Sequence, residues 1–392
     1  MIRILTAALA ALLLANDALA QMPIPQAPQV AARQYVLLDA ATGEVLAERD
    51  AQAAVEPASL TKLMTAYVVF RAIGEGRVGL DDLVTISRDA WVAGGGVPGS
   101  RERRNVSTMY ARERSQVSVD DLLHGMIVVS GNDASVALAE RVAGSESAFA
   151  GLMNHYAAEL GMVNSNFVNS HGLPEEGHVS SAADMARLAQ AIVTEFPHFY
   201  AYYSERNFTW DGITQPNRNG LLGMQVGANA LVDGMKTGFT TAAGFCLVTS
   251  AAAGDMRLVS VVMGAPSVGA RERANRELLS WGFNNFESHA LYQPGDTVTR
   301  ERLWRGAEAD VALGVASTLR VLVPRGQRDR LEAVLELPAA LSAPLAAGVE
   351  VGMLDIRLDG DSLARAPLVV IEDAAQGSLW QRARDSVLLW LD

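Results

Sequence analysis

Of the 32 basic residues in this 392-residue chain only two are lysine, Lys62 and Lys236; the rest are arginine. An ammonium can give up its proton when its surroundings lower its pKa, whereas a guanidinium effectively cannot. Both lysines sit in short patterns with hydroxyl residues, Ser59-Leu60-Thr61-Lys62 and Lys236-Thr237-Gly238, and Ser130-Gly131-Asn132 lies between them. Serine is a poor nucleophile at neutral pH and needs an adjacent base. Lysine serves as that base if burial or a neighbouring cation lowers its pKa from about 10.4. The pattern therefore points to nucleophilic serine chemistry with an amine as base. Codon drift that happened to spare two lysines is the plain alternative, and their placement in two of three motifs weakens it.

The elements around each motif suit that chemistry. Pro57 and the apolar positions Leu60, Leu63, Met64, Tyr67 and Val68 predict a helix starting near Ser59. Ser59 and Lys62, three apart, then share one face at a helix amino terminus, where the dipole favours developing negative charge. By itself this reads equally well as a serine cap with a solvated lysine one turn on. Ser130-Gly131-Asn132 follows the apolar Met126–Val129 and precedes the helical pattern Ala134–Val142, so it is a connector projecting polar groups into a cleft. There Ser130 can relay a proton and Asn132 can bond a substrate amide; an ordinary helix cap is the plainer reading. Lys236-Thr237-Gly238 lies in a strand-like stretch, and Gly238 leaves room for another backbone to approach, as an added peptide strand requires. An edge lysine that deters aggregation would look the same.

Composition removes several classes. A formal net charge of −12 argues against nucleic acid as a partner. One cysteine, Cys246, excludes an internal disulfide framework and any multi-cysteine metal site, and Phe245-Cys246-Leu247-Val248 reads as a buried strand. No G-x-S-x-G elbow and no H-E-x-x-H pair occur, so a Ser-His-Asp hydrolase and a zinc peptidase both lack their signatures. His171, in His171-Gly172-Leu173, reads as a structural loop residue. Nothing in the chain calls for a metal or a cofactor.

Arg3, the apolar run Ile4–Ala15 and the small-x-small close at Ala18-Leu19-Ala20 predict a secretory signal peptide over residues 1–20. Asn16 and Asp17 leave the run too short to span a bilayer, and no cysteine follows to take a lipid. A flexible leader is expected over 21–33 and a first domain over 34–285. In that domain a hairpin around Tyr35–Ala47, helical patterns at 58–75, 118–143, 145–160 and 269–283, and strands at 243–251 and 256–264 make an α+β unit. From 286 to 373 short β-rich runs alternate with turns such as Pro294-Gly295-Asp296 and Asp359-Gly360, the spacing of a small β-sandwich. Residues 376–392 fit an amphipathic helix with Leu379, Trp380, Ala383, Val387, Trp390 and Leu391 on one side, suited to a lipid interface or to packing on the β-rich domain.

The three motifs in this order resemble those of the penicilloyl-serine transferases, which comprise penicillin-binding proteins and serine β-lactamases. Ser-Gly-Asn in the middle, Gln215-Pro216-Asn217-Arg218-Asn219 and Val232-Asp233-Gly234-Met235 resemble the low-molecular-mass D-alanyl-D-alanine carboxypeptidases, from Gln34 to the carboxyl terminus. The resemblance implies an antiparallel sheet with flanking helices, followed by a β-rich domain. It implies that Ser59 is acylated, that Lys62 is its base and that Ser130, helped by Lys236, passes a proton to the leaving D-alanine. It further implies that Asn132 contacts the substrate amide, that Thr237 and Arg271 hold the terminal carboxylate, and that the N–H groups of Ser59 and Phe239 form the oxyanion hole beside Gly238. The substrate would be a peptidoglycan stem peptide ending in D-Ala-D-Ala, with β-lactams as covalent inhibitors. The setting would be the periplasmic face of the inner membrane, held through the C-terminal helix.

Three rivals share the fold. A class A β-lactamase would carry an E-x-x-L-N pattern between Ser130 and Lys236, and none is present. An endopeptidase is disfavoured by the β-rich second domain, on analogy alone. A catalytically inert peptidoglycan-binding scaffold would have no use for a titratable amine at position 62. One feature departs from the family: residues 94–117 hold five arginines and two glutamates, in Arg101-Glu102-Arg103-Arg104 and Arg112-Glu113-Arg114. They read as a solvated charged loop or as a rim element that meets an anionic glycan.

Overall fold

The computed structural model describes residues 24–96 and 106–391. The expected signal peptide and the Arg101–Arg104 cluster lie outside the described residues. Residues 24–33 have no regular structure, yet Val30 is buried and the indole of Trp281 donates to the Pro25 carbonyl at 2.9 Å.

Strands β1 (Gln34–Asp39) and β2 (Val45–Arg49) form the expected hairpin, closed at Asp39, whose Oδ1 accepts from the Thr42 N–H at 2.8 Å. A single 3₁₀ turn, Ala58–Leu60, runs into helix α1 (Thr61–Gly74). After α1 come β3 (Leu83–Thr85), α2 (Arg88–Ala93), β4 (Gln116–Ser118), α3 (Val119–Ile127), α4 (Asn132–Ala143) and α5 (Glu146–Glu159). The helical pattern at 118–143 is thus two helices, broken where Ser130 takes a left-handed φ of +63°. Helix α6 (Ala182–Glu195), capped by the Ser181 hydroxyl, was not anticipated, although Met185, Leu188, Ala189 and Ile192 recur at helical spacing on its buried face. The short helix α7 (Pro197–Tyr200) and the hairpin β5 (Asn207–Trp210) and β6 (Ile213–Pro216) precede the main sheet strands.

Those strands are β7 (Gln225–Val226), β8 (Ala230–Thr240), β9 (Gly244–Ala253) and β10 (Met256–Ala265), followed by helix α8 (Val268–Asn285). With the first hairpin they make an antiparallel sheet in the order β2-β1-β10-β9-β8-β7, closed by the two ends of the domain's chain. Period-two alternation sorts its faces. Val36, Leu38, Val248, Val259 and Val261 pack against α1, α4 and α6, while Tyr35, Leu37, Leu247 and Leu258 pack against Leu278, Leu279 and Phe283 of α8.

The remaining chain is β-rich: β11 (Phe286–Tyr292), β12 (Thr299–Trp304), β13 (Asp310–Val315), β14 (Leu319–Pro324), β15 (Leu331–Glu336), β16 (Leu341–Ser342), β17 (Glu350–Leu358) and β18 (Asp361–Val370). A six-stranded sheet, β15-β17-β18-β13-β12-β16, is faced by the β11–β14 ribbon. Val321 and Val323 of the ribbon share one core with Leu313, Leu354, Ile356 and Leu368. Helix α9 (Leu379–Leu391) ends the chain. The α+β class expected from the sequence, a helix-flanked antiparallel sheet followed by a β-rich unit, is the fold observed.

Candidate active site

Helix α1, the α3–α4 junction and strand β8 converge on one cleft, and each brings one motif. Ser59 is half-buried in the 3₁₀ turn, and the preceding Ala58 holds a left-handed φ of +50°. That backbone is costly for a residue with a Cβ and persists only where its surroundings enforce it. Two glycines let those surroundings close in. A Cβ on Gly172 would stand 1.9 Å from the Ala58 carbonyl oxygen, and one on Gly238 would press on Ala58, Leu60 and Pro57 at 3.3 Å.

Lys62, one turn on, is 1% exposed. Its Nζ lies 2.8 Å from Asn132 Oδ1, 2.6 Å from the His171 carbonyl oxygen and 3.4 Å from Ser59 Oγ. Burial, and then the cation of Arg218, bring its pKa down to about 7, with Asp133 and Glu146 opposing the shift. A neutral amine has two N–H donors and one lone pair. Asn132 and His171 take the two donors, which leaves the lone pair for the Ser59 hydroxyl. The 3.4 Å separation is long for a hydrogen bond, as such contacts commonly are before substrate arrives.

Ser130, Asn132 and Asp133 are all buried at the α3–α4 junction. The Asp133 carboxylate accepts from Thr108 Oγ1 at 2.8 Å and from the N–H groups of Met109 and Ala111 at 3.0 Å each. It thereby fastens the 108–111 strand of loop over the motif, and the Asn132 N–H donates to the Ser107 carbonyl at 2.9 Å.

Lys236 is 2% exposed, and its Nζ donates to the Thr237 carbonyl at 3.2 Å. Burial first, then Lys62, Arg218 and Arg271, push its pKa well below the ordinary lysine value. Strand β8 is braced at Asp233, which receives both Nη atoms of Arg257 at 2.7 Å and the Tyr200 hydroxyl at 2.7 Å. Asn219 Nδ2 donates to the Gly234 carbonyl at 3.0 Å. Thr237 is buried, while Phe239 is exposed at the strand's end and packs at a tilt against Phe245, with centroids 4.4 Å apart.

Arg271 lies beneath the strand. Its Nη1 donates to the Gly238 and Cys246 carbonyls at 3.4 and 3.3 Å, and its Nε is buried with no partner. Cys246 is a buried strand residue. His171 contributes its backbone, not a basic ring: burial and then Lys62 lower the ring's pKa to about 3, so it is neutral.

Sequence reading did not single out Arg218, whose Nη1 donates to Ser107 Oγ at 2.6 Å and whose charge depresses both lysines. It read His171 only as a structural loop residue and did not place the segment 164–181 in the cleft, where the His171 carbonyl and Gly172 close the floor. Neither carries a local motif, because each acts through contacts distant in sequence. Among the described residues no group of His, Cys, Asp and Glu is arranged to hold a metal ion.

Residues 21–267 match the D-alanyl-D-alanine carboxypeptidase family model, and residues 286–376 match that of the penicillin-binding protein 5 C-terminal domain. The D-alanyl-D-alanine carboxypeptidase DacC of Escherichia coli strain K12 is 44% identical over 378 residues, covering 96% of this chain and 92% of that protein. DacA of the same strain is 41% identical over 377 residues, covering 96% and 91%. Penicillin binding protein 5 of Haemophilus influenzae superposes with a TM-score of 0.81 at 42% identity, covering 90% of this chain and 99% of that one. Motifs, cleft and likeness along nearly the whole chain agree, and the chain belongs to the D-alanyl-D-alanine carboxypeptidase family.

Proposed function

We propose that this chain removes the terminal D-alanine from peptidoglycan stem peptides through an acyl-enzyme on Ser59, and that β-lactams acylate the same serine. The observation that carries the reading is the buried Lys62 amine, 3.4 Å from Ser59 Oγ and neutral in about half the molecules at pH 7. The free amine takes the Ser59 proton as Oγ attacks the carbonyl carbon of the penultimate D-alanine. The N–H groups of Ser59 and Phe239 receive the oxyanion, each such donor being worth roughly 3–4 kcal/mol in related chemistry. Collapse breaks the C–N bond; Ser130, with Lys236 in support, gives its proton to the departing D-alanine nitrogen and takes back the one that Lys62 holds, which leaves Lys62 a free amine. Water then hydrolyses the ester, with Lys62 again as base.

Substrate groups have defined places on this reading. Asn132 spends Oδ1 on Lys62, so its Nδ2 hydrogens are what it offers the substrate amide. The peptide lies along β8, where Gly238 allows close approach. Thr237 binds the terminal carboxylate, and Arg271 contributes its charge from under the strand. The proposed setting is the outer face of the inner membrane, reached by a signal peptide cleaved after Ala20. Among the described residues no helix is long and apolar enough to cross a membrane. Helix α9 instead offers Leu379, Trp380, Val387 and Trp390, which are 80, 87, 59 and 84% exposed, on the side away from the domain. Its buried Asp385 accepts from the Arg305 N–H at 2.7 Å. That arrangement supports interfacial attachment over packing of the apolar face.

Mass spectrometry after incubation with benzylpenicillin tests the reading. One adduct with the mass of the intact drug is expected, because ring opening releases no fragment, and Ser59→Ala should abolish it. An unmodified wild-type chain, or an adduct on another residue, overturns the assignment.

A further inference from the structure

The nucleophile's strained turn needs an agent that holds it, and neither the motifs nor the proposed mechanism supplies one. The Ala58 carbonyl precedes Ser59 directly, so its orientation fixes the plane of the peptide that delivers the Ser59 N–H. That carbonyl accepts the Thr61 hydroxyl at 2.8 Å. The Thr61 oxygen in turn lies 2.7 Å from His178 Nε2, and His178 Nδ1 lies 3.1 Å from the Val168 N–H. A backbone N–H can only donate, so Nδ1 must be the unprotonated nitrogen and Nε2 must carry the hydrogen. The direction of every bond is then set. The Val168 N–H donates to Nδ1, Nε2–H donates to Thr61 Oγ1, and Thr61 O–H donates to the Ala58 carbonyl. Ala58, Thr61 and His178 are each 2% exposed or less, so no water competes for these bonds.

The chain of bonds joins two parts of the fold that sequence separates widely. His178 belongs to the segment between α5 and α6, and that segment grips the start of α1 elsewhere too. Val55 and Ser180 exchange backbone hydrogen bonds at 2.8 and 2.9 Å, and Thr65 Oγ1 donates to the Ser170 carbonyl at 2.6 Å. His178 is the one side chain in this grip that relays a bond to the turn carrying Ser59.

We infer that His178 is a positioning residue for the acylation step: as the Nε2–H tautomer it locks Thr61 onto the Ala58 carbonyl, and so holds Ser59 Oγ and its N–H in register with Lys62 and the oxyanion site. This rests on Ser59 being the nucleophile. Burial lowers the imidazole pKa to about 4, which keeps that tautomer neutral at working pH. Misplacing a reacting atom by about an ångström costs on the order of a hundredfold in rate. The consequence falls on the limiting rate of acylation and not on the binding of β-lactam or peptide, since His178 touches neither.

The test measures acylation of full-length mature protein by a fluorescent penicillin over a range of concentrations, which separates the limiting rate constant from the half-saturating concentration. Rates are taken only on the fraction that finally labels, and a thermal melt of each variant checks its fold. His178→Leu and Thr61→Val should each lower the limiting rate constant by about ten- to a hundredfold, with half-saturation within about threefold of wild type. The double variant should be no slower than the worse single, because both break one chain. His178→Gln, whose amide offers an acceptor to Val168 and a donor to Thr61, should recover to within about threefold of wild type. If His178→Leu does not fold, Thr61→Val against Thr61→Ser carries the same comparison. A folded His178→Leu or Thr61→Val that acylates at the wild-type limiting rate overturns the inference, as does a double variant whose losses multiply. A wild-type chain with no adduct on Ser59 overturns the reading beneath it as well.

Discussion

Replacing Lys62 by arginine separates charge from basicity at the centre of the site. With a pKa of about 7, half of the Lys62 side chains are free amines at pH 7, against about one in 3,000 for an unperturbed lysine. Burial and the Arg218 cation together therefore raise the concentration of the base roughly 1,500-fold, equivalent to about 4–5 kcal/mol. Arginine keeps the positive charge that Asn132 Oδ1 and the His171 carbonyl accept from, yet its pKa stays above about 12 in any protein environment. Lys62→Arg should accordingly lower the second-order rate of acylation by benzylpenicillin by on the order of 10³, close to the loss in Lys62→Met. Stopped-flow or quench measurements with a labelled penicillin read this directly. Wild-type acylation should also carry the titration. The active form is the deprotonated one, so the rate is near its plateau above pH 8 and falls as pH drops through about 7, by about a hundredfold at pH 5. Acylation of Lys62→Arg within tenfold of wild type, or a flat wild-type profile from pH 8 to 5, would refute the base assignment.

Two further outcomes test substrate and location. A peptide amidated at its terminal D-alanine should be hydrolysed at least about tenfold more slowly than the free acid, and Arg271→Ala should narrow that gap by slowing the acid alone; equal rates on acid and amide in the wild type would instead favour endopeptidase activity. Deleting residues 376–392 should abolish sedimentation with anionic liposomes and leave hydrolysis in solution within about twofold, because four apolar side chains at roughly 1.5–3 kcal/mol each supply the attachment; a truncated chain that unfolds would show that α9 is part of the β-rich core.

What was legible in the sequence is what short range dictates. The helix at Ser59, the paired strands about Gly254-Asp255 and the turn-punctuated β-rich half all carry their signals within ten or twenty residues. Each motif residue could be placed on a face of its element for the same reason. The convergence of the three motifs could be expected only from a resemblance, because the sheet is closed by strands more than 200 residues apart, with β1 lying beside β10. What stayed hidden is the polar interior. Asp133 reads as one more of the chain's 44 acidic residues, and only the fold shows it receiving the hydroxyl of Thr108 and the backbone amides of Met109 and Ala111. His178 reads as a loop histidine among Glu, Gly and Ser. Arg271 was preferred on the resemblance alone, with its near neighbour Arg273 able to substitute; burial beneath β8 distinguishes them, since Arg271 is 6% exposed and Arg273 is exposed.

The same interior bears on why one site would treat peptide and β-lactam differently. On the proposed mechanism Lys62 is base for both acylation and deacylation, and the two carboxylates that act on its charge, Asp133 and Glu146, accept hydrogen bonds of their own. Asp133 is held by loop 108–111, and Glu146 accepts the Ser170 N–H at 2.9 Å and its hydroxyl at 2.6 Å. Lys62, within reach of Ser59 Oγ, is the base that the proposed mechanism places beside the ester. A water attacking the peptidyl ester must therefore enter where the leaving D-alanine was, within reach of Lys62 and Ser130. Cleavage of the peptide empties that place, because its two halves separate. Opening a β-lactam does not, because the expelled nitrogen remains tethered to the acyl group and keeps water out of the one position served by a base. Substrate turnover and penicillin trapping then follow from a single arrangement, in which the base that makes Ser59 a nucleophile is also the one that releases it.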